Sequence, residues 1–99
     1  MPSIVLTDKA QSDLDSIHEY YSHAIGPDDA DEVVLTILGT LQQLQRFPGS
    51  GRPSPAPDIR ELVLTRYPFF APYRLLHGQL QVLRVLHQRT EPPPDWSEQ

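Results

Sequence analysis

The sequence predicts an α+β fold of order β-α-α-β-β-β, a helical hairpin packed on a small, mostly antiparallel sheet. Two observations carry this. Apolar residues recur at helical spacing from Ala10 to Leu44, then at every second position from Ile59 onward. A short Pro/Gly-rich joint separates the two regimes, and helices grouped ahead of strands read as an α+β layer rather than a doubly wound sheet. The chain has 99 residues, the length of one domain, expected over residues 1–90 with a Pro-rich tail over 91–99.

The elements follow in order. "SIVL" (Ser3–Leu6) is a short β-prone run, ended by Thr7 and Asp8, both good helix caps. Ala10, Leu14, Ile17 and Tyr21 then mark one face of a first helix. Tyr20 and Tyr21 are adjacent on it, so only one of them can face the core. Gly26-Pro27 breaks that helix, and Pro27 suits the first turn of a second. Asp28, Asp29, Asp31 and Glu32 crowd the second helix's N-terminus, where the helix dipole favours negative charge and explains the cluster without a metal. Its apolar stripe runs through Ala30, Val33, Val34, Ile37, Leu38, Leu41 and Leu44, and Phe47 is expected to extend it and pin its end to the core.

The joint itself reads "RFPGSGRPSPAPDIREL" (Arg46–Leu62). Pro48-Gly49 stops the helix, Gly51 permits a turn, and Pro53, Pro55 and Pro57 are expected to hold an extended path to Ile59. Arg46 and Arg52 read as decoration. Three strands follow, "IRELVLT" (59–65), "FFAPYRLL" (69–76) and "QLQVLRVLH" (79–87), the last two joined at His77-Gly78 by a tight turn. That turn pairs Leu75 with Leu80, Tyr73 with Val82, Ala71 with Arg84 and Phe69 with Leu86. This apolar face should lie on the helices. Arg84 is its exception: the small Ala71 leaves room for the aliphatic stem, and the charged head needs a carboxylate or carbonyls. Arg74, His87, Phe70, Leu83 and Val85 are expected on the opposite face. Pro72 inside a strand implies an edge position or a bulge.

Composition narrows the function. There are no cysteines, which excludes disulfides and thiolate zinc sites, and the four histidines lack metal-ligand spacing. No metal or cofactor is expected. No apolar run approaches the ~20 residues of a membrane span, and "MPSIVLTDKA" has no signal-peptide pattern, so a cytoplasmic protein is expected. The net charge of −5 hides an asymmetry: Lys9 is the sole base before Arg46, and every arginine lies from Arg46 onward. The overall sign argues against broad nucleic-acid binding. The strand pattern collects the arginines into two spots, Arg60 with Arg74 at one end of the sheet, and Arg66, Tyr67, His87 and Arg89 at the other. Arginine favours planar partners such as carboxylates and phosphates.

The segments "AQSDLDSIHEYY" (10–21), "LQQLQRFPGSGRP" (41–53), "IRELVLTRYPFFAPYRLL" (59–76) and "LQVLRVLHQR" (80–89), in that order and spacing, resemble the RelE/ParE superfamily of bacterial type II toxins. "LRVLH" is most similar to the ParE branch. The resemblance implies a βααβββ toxin that binds and poisons DNA gyrase and is neutralised by a cognate, ParD-like antitoxin in a hetero-oligomer. It implies antitoxin contacts at Leu35 and Leu38 beside the helical hairpin, rimmed by Arg60 and Arg74. Target contacts fall on Arg66, Tyr67, His87 and Arg89. The alternatives within the superfamily are a ribosome-dependent endoribonuclease, with His87 as acid or base and Arg66 and Arg89 on the phosphate, or a non-toxic antitoxin binder. Trp96, after three prolines, is either part of a frayed tail or an anchor for the toxin or a partner.

Overall fold

The computed structural model describes residues 2–89, and the tail with Trp96 lies outside them. Strand β1 (Ser3–Leu6) leads through Thr7 into helix α1 (Asp8–Ile25). Thr7 caps the helix, its Oγ1 accepting the Ala10 N–H at 3.1 Å. The same hydroxyl donates to the Leu83 carbonyl at 2.8 Å, and the Thr7 N–H donates to the Val82 carbonyl. A cap worth about 1 kcal/mol therefore also ties the chain's start to the last strands of the sheet. Helix α2 (Pro27–Gln42) begins with its proline and the acidic turn Asp28-Asp29. His18 of α1 meets Asp31 of α2 at 2.6 Å across the hairpin. Among the described residues no helix is long and apolar enough to cross a membrane.

The helices bury Leu14, Ile17, Val33, Ile37 and Leu41 against Leu62, Leu64, Phe69, Ala71, Tyr73, Leu80 and Val82 of the sheet. Helix α2 tightens into a 3-10 turn at Gln43–Gln45, which buries Leu44 and ends the helical stripe. Phe47 falls past that turn and is 64% exposed, so Leu44, not Phe47, pins the helix end.

Strands β2 (Arg52–Pro53), β3 (Arg60–Leu64), β4 (Phe69–Leu76), β5 (Gln79–Val82) and β6 (Leu86–His87) complete a mixed, mostly antiparallel sheet of order β1-β5-β4-β3-β2, with β6 also paired to β4. β1 lies parallel to β5, with Ser3 opposite Gln79. β4 and β5 turn on His77 and Gly78, both at positive φ, and pair Tyr73 with Val82 and Leu75 with Leu80 as expected. Leu75, near the hairpin's tip, is 56% exposed and does not reach the helices.

Beyond Val82 the expected register fails. β6 pairs Phe70 with Leu86 and Phe69 with His87, one residue out of step with Phe69–Leu86, and Arg84 does not pair with Ala71. An extra residue in Leu83–Val85 makes a bulge. Its cause is Asp13 on α1. Asp13 accepts from Arg84 Nε at 2.7 Å and Nη2 at 3.0 Å, and from the Val85 N–H at 2.9 Å, which pulls that backbone out of the ladder. The carboxylate also holds the Arg84 pKa above its ordinary value, its hydrogen bond outweighing desolvation. Because side chains alternate along a strand, one residue of slip exchanges the faces beyond it. Val85 joins the helix-side core, and His87 moves from the face expected for it to the helix side beside Phe69. Pro72 sits in an interior strand facing this break. The Leu83 N–H donates to its carbonyl at 2.8 Å, and the bulge leaves no ladder bond that needs the missing Pro72 N–H.

The joint folds back along the sheet instead of running extended. The Tyr73 hydroxyl donates to the Pro48 carbonyl at 2.7 Å and accepts the Gly51 N–H at 2.9 Å. Gly51 is required by close approach, because a Cβ there would lie 2.6 Å from the Tyr73 ring. Pro53 enters β2, and Pro55 to Asp58 make a turn whose Ala56 packs on Ile59 and Leu83 behind the sheet. Arg52 is more than decoration. Its Nε donates to the buried Glu61 at 2.9 Å and its guanidinium lies 5.9 Å from the centre of the Phe70 ring.

Candidate functional site

The two ends of the sheet carry different chemistry. At one end α1 presents Ser16, Ile17, Tyr20 and Tyr21 beside Pro68, Phe69 and His87, around an open hollow of about 440 Å³. Edge-to-face ring contacts run through it: Tyr20 to Tyr21 at 5.2 Å, Tyr21 to Tyr67 at 6.1 Å, Tyr21 to Phe69 at 6.5 Å, and Phe69 to His87 at 5.9 Å. Such pairs add to area burial and hold the rings in place. Tyr20 is 67% exposed, while Tyr21 packs against the core, so the adjacent tyrosines divide as their spacing requires. Arg66 lies 5.9 Å from the centre of the Tyr67 ring, a cation–π distance.

His87 closes this hollow. Its Nδ1 is 3.1 Å from the Arg89 backbone nitrogen and accepts that N–H, which leaves the neutral ring's proton on Nε2. Among the described residues no carboxylate or second imidazole is bonded to His87. RNA cleavage needs a base, an acid and cations on the phosphate. The arrangement supplies one exposed imidazole and flanking arginines, and its main surface is aromatic. What it offers is aromatic rings flanked by positive charge. Of the four expected residues, His87 and Tyr67 are joined through Phe69 and Tyr21, Arg66 stands over Tyr67, and Arg89 reaches His87 through its backbone. Tyr20, Tyr21 and Phe69 were missed as site residues, because only the bulge brings His87 to their face.

At the other end Arg60 and Arg74 line a groove of about 730 Å³ with Pro48, Pro57, Tyr73 and Leu76. Arg60 Nη1 donates to the Gly51 carbonyl at 2.7 Å and Arg74 Nε to Gln81 Oε1 at 2.8 Å. Each guanidinium is thereby oriented with further N–H groups left over. Leu75 extends an apolar lip and Asp58 also lines the groove. The expected apolar partners do not join this rim. Leu35 and Leu38 lie on α2 and are absent from the groove lining; Leu35 is 67% exposed, and Leu38 is packed on the core. The two ends are separated by the length of β4, from Phe69 opposite His87 to Arg74 opposite Gln81, about 16 Å at strand rise.

Comparison with known proteins places the chain in a family. Residues 4–92 match the family model described as the ParE toxin of the type II toxin–antitoxin system parDE. A Sinorhizobium fredii protein named as a candidate toxin, Y4kP, is 36% identical over 80 residues, 81% of each chain. A chain from the solved chromosomal ParDE toxin–antitoxin system of P. aeruginosa superposes with a TM-score of 0.82 at 40% identity, covering 88% of this chain and 96% of that one.

Proposed function

The chain belongs to the ParE toxin family of type II toxin–antitoxin systems, and from that premise we propose that it acts in the cytoplasm by binding DNA gyrase and is neutralised by a cognate antitoxin. The observation that carries a binding mode of action is the aromatic end. Tyr20, Phe69 and His87 line an open hollow beside Tyr67, flanked by Arg66 and Arg89, and among the described residues His87 is engaged by a backbone N–H with no acid–base partner beside it. A net charge of −5 supports the same reading, since it opposes docking on ribosomal RNA. The Arg60–Arg74 groove is the antitoxin's rim, its oriented guanidiniums pairing with acids of that partner while Leu75 and Leu76 receive its apolar side chains. Leu35 on α2, with Leu38 beneath it, is a second contact, so the antitoxin reaches around the molecule.

Purified protein incubated with gyrase and supercoiled plasmid tests the proposal. The expected result is loss of supercoiling with accumulation of cleaved DNA, prevented by the antitoxin and weakened by Tyr20→Ala or Arg66→Gln. Intact gyrase activity in the presence of protein that still binds antitoxin overturns it. Message cleavage in a translation reaction, abolished by His87→Ala, would replace it with ribonuclease action.

A further inference from the structure

The lining of the hollow at the aromatic end says what shape and charge it accepts. Ile17, Tyr20, Tyr21, Pro68 and Phe69 supply mostly carbon surface, and no carboxylate lines it. At about 440 Å³ it falls within the span of pockets that bury one ring-bearing ligand, roughly 300–1,000 Å³. Its walls are already set. Phe69 is paired with His87 across β4 and β6, the His87 ring is held by the Arg89 N–H, and Tyr21 meets both Phe69 and Tyr67 edge to face. Filling a hollow whose walls are fixed costs little side-chain entropy. Tyr20, 67% exposed, is the large ring left uncovered beside it. We propose that the hollow receives a single aromatic side chain of a protein partner, with a carboxylate next to that ring paired to Arg66.

Charge decides the second half of this anchor. The Arg66 guanidinium lies 5.9 Å from the centre of the Tyr67 ring, and Tyr67 in turn contacts Tyr21 of the hollow. Arg66 is exposed, and among the described residues no carboxylate pairs with it. A planar guanidinium on a ring, with N–H groups left over, is suited to a carboxylate. A nucleotide also joins a flat ring to an anion, but the hollow fits it less well. Base edges carry several donors and acceptors that lose water on entry, and this lining has few polar groups to meet them. Asp15 and Glu19, exposed on the same helix, oppose a phosphate chain. An indole or phenol brings one polar atom. Large rings seated in preformed pockets are also the side chains that dominate protein interfaces. That the protein carrying this anchor is gyrase rests on the gyrase-binding reading; the chemistry of the anchor does not.

Three small probes test it on the full-length protein by amide NMR titration: indole-3-acetate, its uncharged isostere indole-3-acetamide, and thymidine monophosphate. Indole-3-acetate is expected to shift the amides of Ile17, Tyr21, Phe69 and His87. The acetamide should shift the same amides with an affinity about two- to fivefold lower, the worth of a solvated ion pair. Arg66→Gln should make acid and amide equal, and Tyr20→Ala should weaken both several-fold. Both substitutions are at exposed positions and should leave the far-UV spectrum unchanged. No shift at these amides overturns the proposal, as does equal affinity of the parent for acid and amide. Tighter binding of thymidine monophosphate than of indole-3-acetate also overturns it and assigns the hollow to nucleic acid. None of these readouts involves gyrase, so the expected shifts in a protein that leaves gyrase untouched would refute the target and uphold the anchor.

Discussion

Asp13 does at one residue what the strand pattern cannot do for itself. Its carboxylate accepts two guanidinium bonds and a backbone N–H from residues more than seventy positions away, and so holds the bulge that turns His87 toward α1. Asp13→Asn keeps the size and removes the charge, leaving a half-buried guanidinium without its partner. The expected loss is about 2–4 kcal/mol, read as a lower urea midpoint by circular dichroism. Tyr21 offers a pH test of the same neighbourhood. Burial first, then the adjoining phenols Tyr20 and Tyr67, push its pKa above 10.0. The folded state holds this proton more tightly than the unfolded chain does. Its contribution is therefore complete below about pH 10 and is lost as pH rises through the folded value. Tyr21→Phe should flatten the fall in urea midpoint between about pH 9 and about pH 11; equal slopes for both proteins would refute the assignment.

Between elements, the contact that organises the Pro/Gly-rich joint is the Tyr73 hydroxyl, bonded to both Pro48 and Gly51. Tyr73→Phe strands a carbonyl and an N–H and should cost about 1–3 kcal/mol. Gly51→Ala forces a methyl group into the same ring, with a similar cost. Limited proteolysis followed by mass spectrometry should show faster cleavage within residues 46–58 for both variants than for the parent. Element order and the β4–β5 register were legible in the sequence, because periodicity and the His77-Gly78 turn are local signals. The bulge was not, since a helical aspartate gives no local sign that it will meet Val85. Phe47 misled for a related reason: its spacing continues the stripe, but the chain leaves the helix before reaching it.

For the whole molecule, the site divides by how its parts were visible. The two basic ends follow from strand pairing and could be read from spacing, whereas the aromatic surface needs α1 packed on the sheet and the face exchange beyond Val82. On the proposed function, the separation of the ends predicts that antitoxin and target contacts can be altered independently. Arg60→Gln with Arg74→Gln should weaken antitoxin affinity about tenfold and flatten its salt dependence in calorimetry at two ionic strengths, leaving gyrase inhibition intact. Unchanged affinity would remove both arginines from the rim.

The parallel pairing of β1 with β5 also sets a timetable. Ser3–Leu6 is made more than seventy residues ahead of its neighbour Gln79–Val82. During synthesis, at roughly 5–20 residues per second, β1 stays without its strand until Gln79–Val82 has followed it. A nascent chain broken off earlier holds both helices but lacks that neighbour, and with it the end of the sheet where His87 stands. The surface proposed for the target is thus assembled only after both helices and the earlier strands of the sheet have been made.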